Sequence, residues 1–118
     1  MKRIYRLRTP IEFQRVRDAA PRGWPHPFFV LLVAPNDLDR TRIGITVSGR
    51  VGNAVVRNKV RRRIREALRA RLPRLASGRD ILVLARPAVA SASWTELNTA
   101  LDTLLHRSGA TQSDPAAV

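Results

Sequence analysis

The sequence predicts an α+β fold, a two-layer sandwich of one β-sheet with about three helices. Two apolar runs and one alternating run have strand character, while two capping boxes and one Asn-led apolar stripe announce helices. Along the chain these elements come in the order helix, strand, strand, helix, strand, helix. At 118 residues with 44% apolar content the chain supports one modest core, hence a single domain over residues 1–108, with 109–118 read as a disordered tail.

The first helix is set by "TPIEFQRV". Thr9 caps it, Pro10 suits the first helical position and Glu12 completes a Thr-x-x-Glu box, which predicts a helix over Pro10–Asp18. "AAPRGWPHP" then permits only an irregular connection, in which a short strand could hide, or one could form near Val51. "FFVLLVA" (Phe28–Ala34) reads as a strand followed by the turn "PNDLDR". "TRIGITVS" (Thr41–Ser48) alternates Ile43, Ile45 and Val47 with Gly44, Thr46 and Ser48, the period of a half-buried strand.

Asn53 is the expected N-cap of an Arg-rich helix running to Leu72 and stopped by Pro73. "DILVLAR" (Asp80–Arg86) is continuously apolar, as at a sheet centre. Ser93 and Glu96 form a second capping box for a helix with the stripe Trp94, Leu97, Leu101, Leu104 and Leu105, closed by Gly109.

Charge narrows the function. The chain carries 22 Lys plus Arg against 9 Asp plus Glu, a net charge of +13, which repels itself in a compact fold unless a polyanion neutralises it. The absence of cysteine excludes disulfides and Cys-based zinc sites and fits a reducing cytoplasm. No signal-peptide apolar run and no membrane-length segment are present, so a soluble cytoplasmic protein is expected.

At 100° per residue, Val56, Val60, Ile64, Ala67, Leu68 and Leu72 form one side of the Arg-rich helix and dock it on the sheet. Arg57, Arg61 and Arg65, spaced four apart, border that stripe and overhang whatever lies beside it; Asn58, Lys59, Arg62 and Arg69 point outward. Guanidinium groups suit bidentate phosphate contacts and stacking on bases. A membrane-surface helix needs bulky free anchors such as Trp or Phe, which this stripe lacks.

The stretch "RIGITVSGRVGNAVVRNKVRRRIREALR" (Arg42–Arg69) closely resembles the protein subunit of bacterial ribonuclease P. "RLRTPIEFQRV" and "DILVLARPAV" with the terminal helix extend the resemblance over Tyr5–Arg107. The resemblance implies a mixed sheet with a left-handed crossover between parallel strands, against the usual handedness. It implies a catalytic RNA partner that cleaves the 5′ leader from precursor tRNA with Mg2+ held mainly by that RNA, the protein alone being inactive.

Carried over by position, catalytic-RNA contacts are expected at Arg50, Asn53, Arg57, Asn58, Lys59, Arg62 and Arg69. A leader cleft is expected at Phe13, Arg17, Leu32, Thr46, Ser48, Arg61 and Arg65. Lys59 stands where the family's signature has a second arginine, and Arg17 and Leu32 stand where it carries aromatics, so the cleft leans on charge with Phe13 as its stacking residue. Gly49-Arg50 replaces a basic pair.

His26, held between prolines, reads as a loop residue and His106 as a helix-end residue, while the scattered acids read as caps and local charge partners. No catalytic residue or metal ligand is expected. The competing reading is a noncatalytic basic RNA-binding protein such as a ribosomal component. Composition and coarse fold fit both readings; the dense Val-Ser to Arg-Asn block favours the first.

Overall fold

The computed structural model describes residues 1–111. Among them are the helices α1 (Pro10–Ala19), α2 (Ala54–Arg69) and α3 (Trp94–Arg107) and the strands β1 (Trp24–Pro25), β2 (Phe29–Pro35), β3 (Arg42–Val47) and β4 (Arg79–Ala85). The sheet order is β1-β2-β4-β3. β2 runs antiparallel to both β1 and β4, whereas β3 and β4 are parallel and joined through α2. The continuously apolar "DILVLAR" segment is thus central, as expected for a strand buried on both faces.

The pleat divides the sheet's side chains into two sets. Phe29, Leu31, Ile43, Val47, Ile81 and Val83 pack with Val60, Ile64 and Leu68 of α2 and Leu97, Leu101 and Leu104 of α3 in the main core. Leu32, Ala34 and Leu82 point to the other face, where Val16 of α1 and Leu7 cover them. Alternation in β3 works as read: Ile43 and Val47 are buried in the main core, and Gly44 and Thr46 lie on the α1 side.

Both capping boxes form. Thr9 and Ser93 accept from the backbone N–H of Glu12 and Glu96, whose carboxylates accept in return from the two cap N–H groups. Gly109 adopts φ +74° just past α3, a conformation that favours glycine.

Three expectations are corrected and one is met. α2 ends at Arg69 rather than Leu72, and Leu72–Arg74 forms a 3₁₀ turn instead, because the Pro73 ring would clash with the Arg69 carbonyl in a continued helix. Trp94, expected in the apolar stripe of α3, is 49% exposed because it stands at the first helical position, before the helix has crossed onto the sheet. The irregular segment does contain a strand, β1, whose Pro25 is tolerated at the sheet edge. The disordered tail expected from residue 109 is ordered over its first residues: Ala110 is fully buried, its carbonyl accepts from Ala76 N–H at 2.7 Å, and Thr111 bridges to Leu75. The rest of that tail, 112–118, lies outside the described residues.

Two further 3₁₀ turns, Arg3–Tyr5 and Pro87–Ser91, had no periodic signal to announce them. No helix among the described residues is long and apolar enough to cross a membrane.

Candidate nucleic-acid interface

α2 starts where Asn53 Oδ1 accepts from the Val56 N–H at 3.0 Å, and it buries Val60, Ile64, Ala67 and Leu68. That phase fixes every charged position. Asn58, Lys59, Arg62 and Arg69 are exposed on the outer face, and Arg69 forms a surface ion pair with Glu66 at 2.9 Å. Arg57, Arg61 and Arg65 are half-buried along one border. Arg57 donates to the Gly52 carbonyl at 3.1 Å and Arg61 to Asn58 Oδ1 at 3.0 Å, so one member of the row is partly preorganised by the loop before α2 and another by the helix itself.

Because α2 lies against β3, the outer strand, the Arg row reaches past the sheet edge toward the α1 side. There Arg65 lines a cavity of about 320 Å³ together with Phe13, Gly44, Leu7, Arg3, Arg6 and Arg8. The N-terminal segment forms its wall by adding to the β3 edge, with the Leu7 N–H donating to the Ile43 carbonyl at 2.9 Å and Arg6 in a parallel bridge to Ile43. Burial first, then the charges of Arg6 and Arg61, holds the Arg65 guanidinium below its usual range. Arg6 Nε is buried with no hydrogen-bond partner among the described residues. Like charges crowded around an open cleft, one of them with an unmet donor, make a receptor for an anion.

Phe13 is held over this cleft by an ionic frame. Glu12 Oε1 accepts from the Arg8 and Thr9 N–H groups at 2.6 and 3.1 Å, and its Oε2 accepts from Arg42 at 2.8 Å. Arg42 also grips Asp80 with two bonds of 2.9 and 2.8 Å, and Asn36 donates to Asp80 at 2.9 Å. α1 is therefore tied to β3 and β4 one residue before Phe13. The ring rests on Gly44, where an added Cβ would lie 2.7 Å from Phe13 Cε1 and 2.8 Å from Leu7 Cδ1. Hydrogen bonding from Arg8 N–H chiefly, with Thr9 N–H and Arg42 assisting against burial, lowers the Glu12 pKa.

The expected leader-side residues divide. Phe13, Arg17, Thr46, Arg61 and Arg65 are half-buried and Ser48 is exposed at the end of β3. Leu32 does not share that surface: at 4% exposure it lies beneath α1 with Val16, Ala34 and Leu82, because β2's pleat aims it at the helix. The next row across the sheet on the same face, Val30, Leu84 and Thr46 in register, is only half-buried. Arg3, Arg6, Arg8, Val30 and Leu84 were missed from sequence. The density of arginine before Thr9 was the available signal for the first three; nothing marks the last two without the register.

On the other side, Arg50 is exposed in the loop before α2, and Asn53, also exposed, has its Oδ1 committed to the cap. Among the described residues no three His, Cys, Asp or Glu side chains come together. The carboxylates of Glu12, Glu66, Asp80 and Asp102 pair with arginines, and Glu96 caps α3. His26 Nδ1 accepts from the Phe28 N–H at 3.0 Å, and burial, then the charge of Arg107, lowers its pKa.

The ribonuclease P family profile matches residues 1–109. The chain is 45% identical over 113 residues to the ribonuclease P protein component of Roseiflexus castenholzii, covering 95% of this chain and 92% of the relative. It is 33% identical over 109 residues to that of Bacillus cereus, covering 92% and 95%. The fold is similar to the RNase P protein of Staphylococcus aureus (TM-score 0.83, 29% identity, 92% of this chain and 98% of that one). It is also similar to that of Thermotoga maritima (TM-score 0.78, 29% identity, 86% and 96%). With the Val-Ser to Arg-Asn block placed on β3, its following loop and α2, and the match running nearly end to end, the chain belongs to the ribonuclease P protein family.

Proposed function

We propose that the chain is the protein subunit of a ribonuclease P ribonucleoprotein that removes the 5′ leader from precursor tRNA in the cytoplasm. One helix divides the work. The outer face of α2, with Asn58, Lys59, Arg62 and Arg69, and the neighbouring Arg50, Asn53 and Arg57, docks on the catalytic RNA. Its border row takes the leader as an extended strand across Thr46, Val30 and Leu84, with Phe13 as the stacking surface and Arg17 and Ser48 at the margins. Hydrolysis and Mg2+ belong to the RNA in this reading, since the chain's paired carboxylates are already taken up by arginines and helix caps.

The observation that carries the proposal is the Arg65 cleft. Arg65, Arg6, Arg3 and Arg8 converge beside an aromatic ring and a strand made flat by Gly44. Such a groove combines an electrostatic track for phosphates with a base-stacking surface.

The test is cleavage of a precursor tRNA by a bacterial ribonuclease P RNA at limiting Mg2+, with and without the protein. Strong stimulation with cleavage at the mature 5′ end is expected, and no cleavage by the protein alone. Tight RNA binding without stimulation would return the chain to the general basic RNA-binding class.

A further inference from the structure

We infer that Trp94 is an aromatic platform for an unpaired base of the RNA that docks on α2; the inference rests on the RNA-binding reading of that helix. Leu97, Leu101, Leu104 and Leu105 of α3 are buried, yet Trp94 keeps 49% of its surface in water. An indole left this open gains by being covered.

Its backbone is fixed beside α2. Arg63 Nη2 donates to the Ala92 carbonyl at 2.9 Å, Asn98 Nδ2 donates to the Trp94 carbonyl at 2.8 Å, and Arg71 Nη1 donates to Asn98 Oδ1 at 2.8 Å. The start of α3 is thereby fastened to the flank of α2 that carries Arg63 and, one turn earlier, the exposed Lys59. A flat ring on an immobilised backbone loses little freedom on stacking.

The charge around it selects the occupant. Lys59 and Arg63 attract phosphate, while Glu96, the acid in the first turn of α3, has Oε1 engaged by the Ser93 N–H. Cations on the flank of α2 to which this ring's backbone is fastened, together with an open aromatic ring, suit looped or single-stranded RNA, whose phosphates and unstacked bases satisfy both. Lys59 also belongs to the docking face proposed above, and Arg63, one turn on, bonds the segment leading into Trp94, so one RNA can cover both.

The chain has two tryptophans, and Trp24→Phe leaves Trp94 as the sole reporter. This variant is titrated with a bacterial ribonuclease P RNA while emission, acrylamide quenching and filter binding are followed together. Trp94 emission is expected to change at the binding midpoint and its acrylamide accessibility to fall. A Trp94→Phe protein, reporting Trp24, serves as control and is expected to show a smaller change.

Trp94→Ala should weaken binding by roughly 5-fold or more, with partial recovery in Trp94→Phe. Tight binding with Trp94 emission and accessibility unchanged, or an equal response from Trp24, overturns the platform while leaving the docking face intact. Failure of the unsubstituted protein to bind the RNA removes both.

Discussion

Arg42 and Asp80 stand directly opposite each other on the parallel strands β3 and β4 and share two hydrogen bonds of 2.9 and 2.8 Å. The same guanidinium reaches Glu12 of α1, so one side chain sets the angle at which Phe13 meets the sheet. Asp80 has only 6% of its side chain exposed. Arg42→Met should therefore cost about 3 kcal/mol by leaving a buried carboxylate unpaired, measured as a lowered urea midpoint. Restoring stability with Asp80→Leu in the same chain would mark the penalty as one of unpaired charge.

The Glu12 carboxylate titrates below its ordinary 4.5 in the folded state, and Asp102 below its ordinary 3.8, chiefly through the Arg71 hydrogen bond. A depressed folded value means that the stabilisation is complete above the unfolded pKa and disappears as pH falls through the folded one. Urea midpoints should be level down to pH about 4.5 and then decline. Glu12→Gln should lower the neutral-pH midpoint and make the acid decline shallower.

Gly44→Ala tests the cleft without altering charge. The new methyl would meet the Phe13 ring and Leu7, displacing the stacking surface. A stability loss of about 1–3 kcal/mol is expected, with selective weakening of precursor over mature tRNA recognition in the assembled particle. Equal weakening of both substrates would separate Phe13 from the leader.

Arg65 shows the opposite balance. Its guanidinium is disfavoured by burial and by Arg6 and Arg61, so Arg65→Met should stabilise the free protein by about 0.5–1 kcal/mol while weakening precursor binding. Thermal unfolding of free protein and precursor affinity of the particle, measured side by side, give the two signs.

Arg62 is exposed and has no hydrogen-bonded partner among the described residues, in contrast to Arg71, which is buried between Asp102, Asn98 and the Ala67 carbonyl. Arg62→Gln should leave unfolding unchanged and reduce the salt slope of RNA binding by about one. Arg71→Met should do the reverse, costing about 2–4 kcal/mol of stability with the salt slope retained.

Local grammar made the helices and their starts readable: the capping boxes at Thr9 and Ser93, the Asn53 cap and the stripe of α2 all lie within a few residues of what they determine. The outer face of α2 followed from the same periodicity. Features that depend on which strands pair were hidden. Leu32 and Val30 are both apolar residues of one strand, and only the position of α1 decides that the first is covered and the second left half-buried. The wall of the cleft was equally illegible, since Arg6 meets Ile43 through a single bridge that no periodic pattern announces.

That bridge also imposes an order in time. Arg6 and Leu7 are synthesised ahead of the strand edge they pair with, which does not exist until Ile43 and its own partner Ile81 have been made. At about 5–20 residues per second the arginine-rich stretch ahead of α1 waits on the order of seconds for that edge. That wall of the cleft is thus made well before the edge it closes on, and a fusion joined to Met1, which lines the cleft, would burden that closing step more than the fold itself.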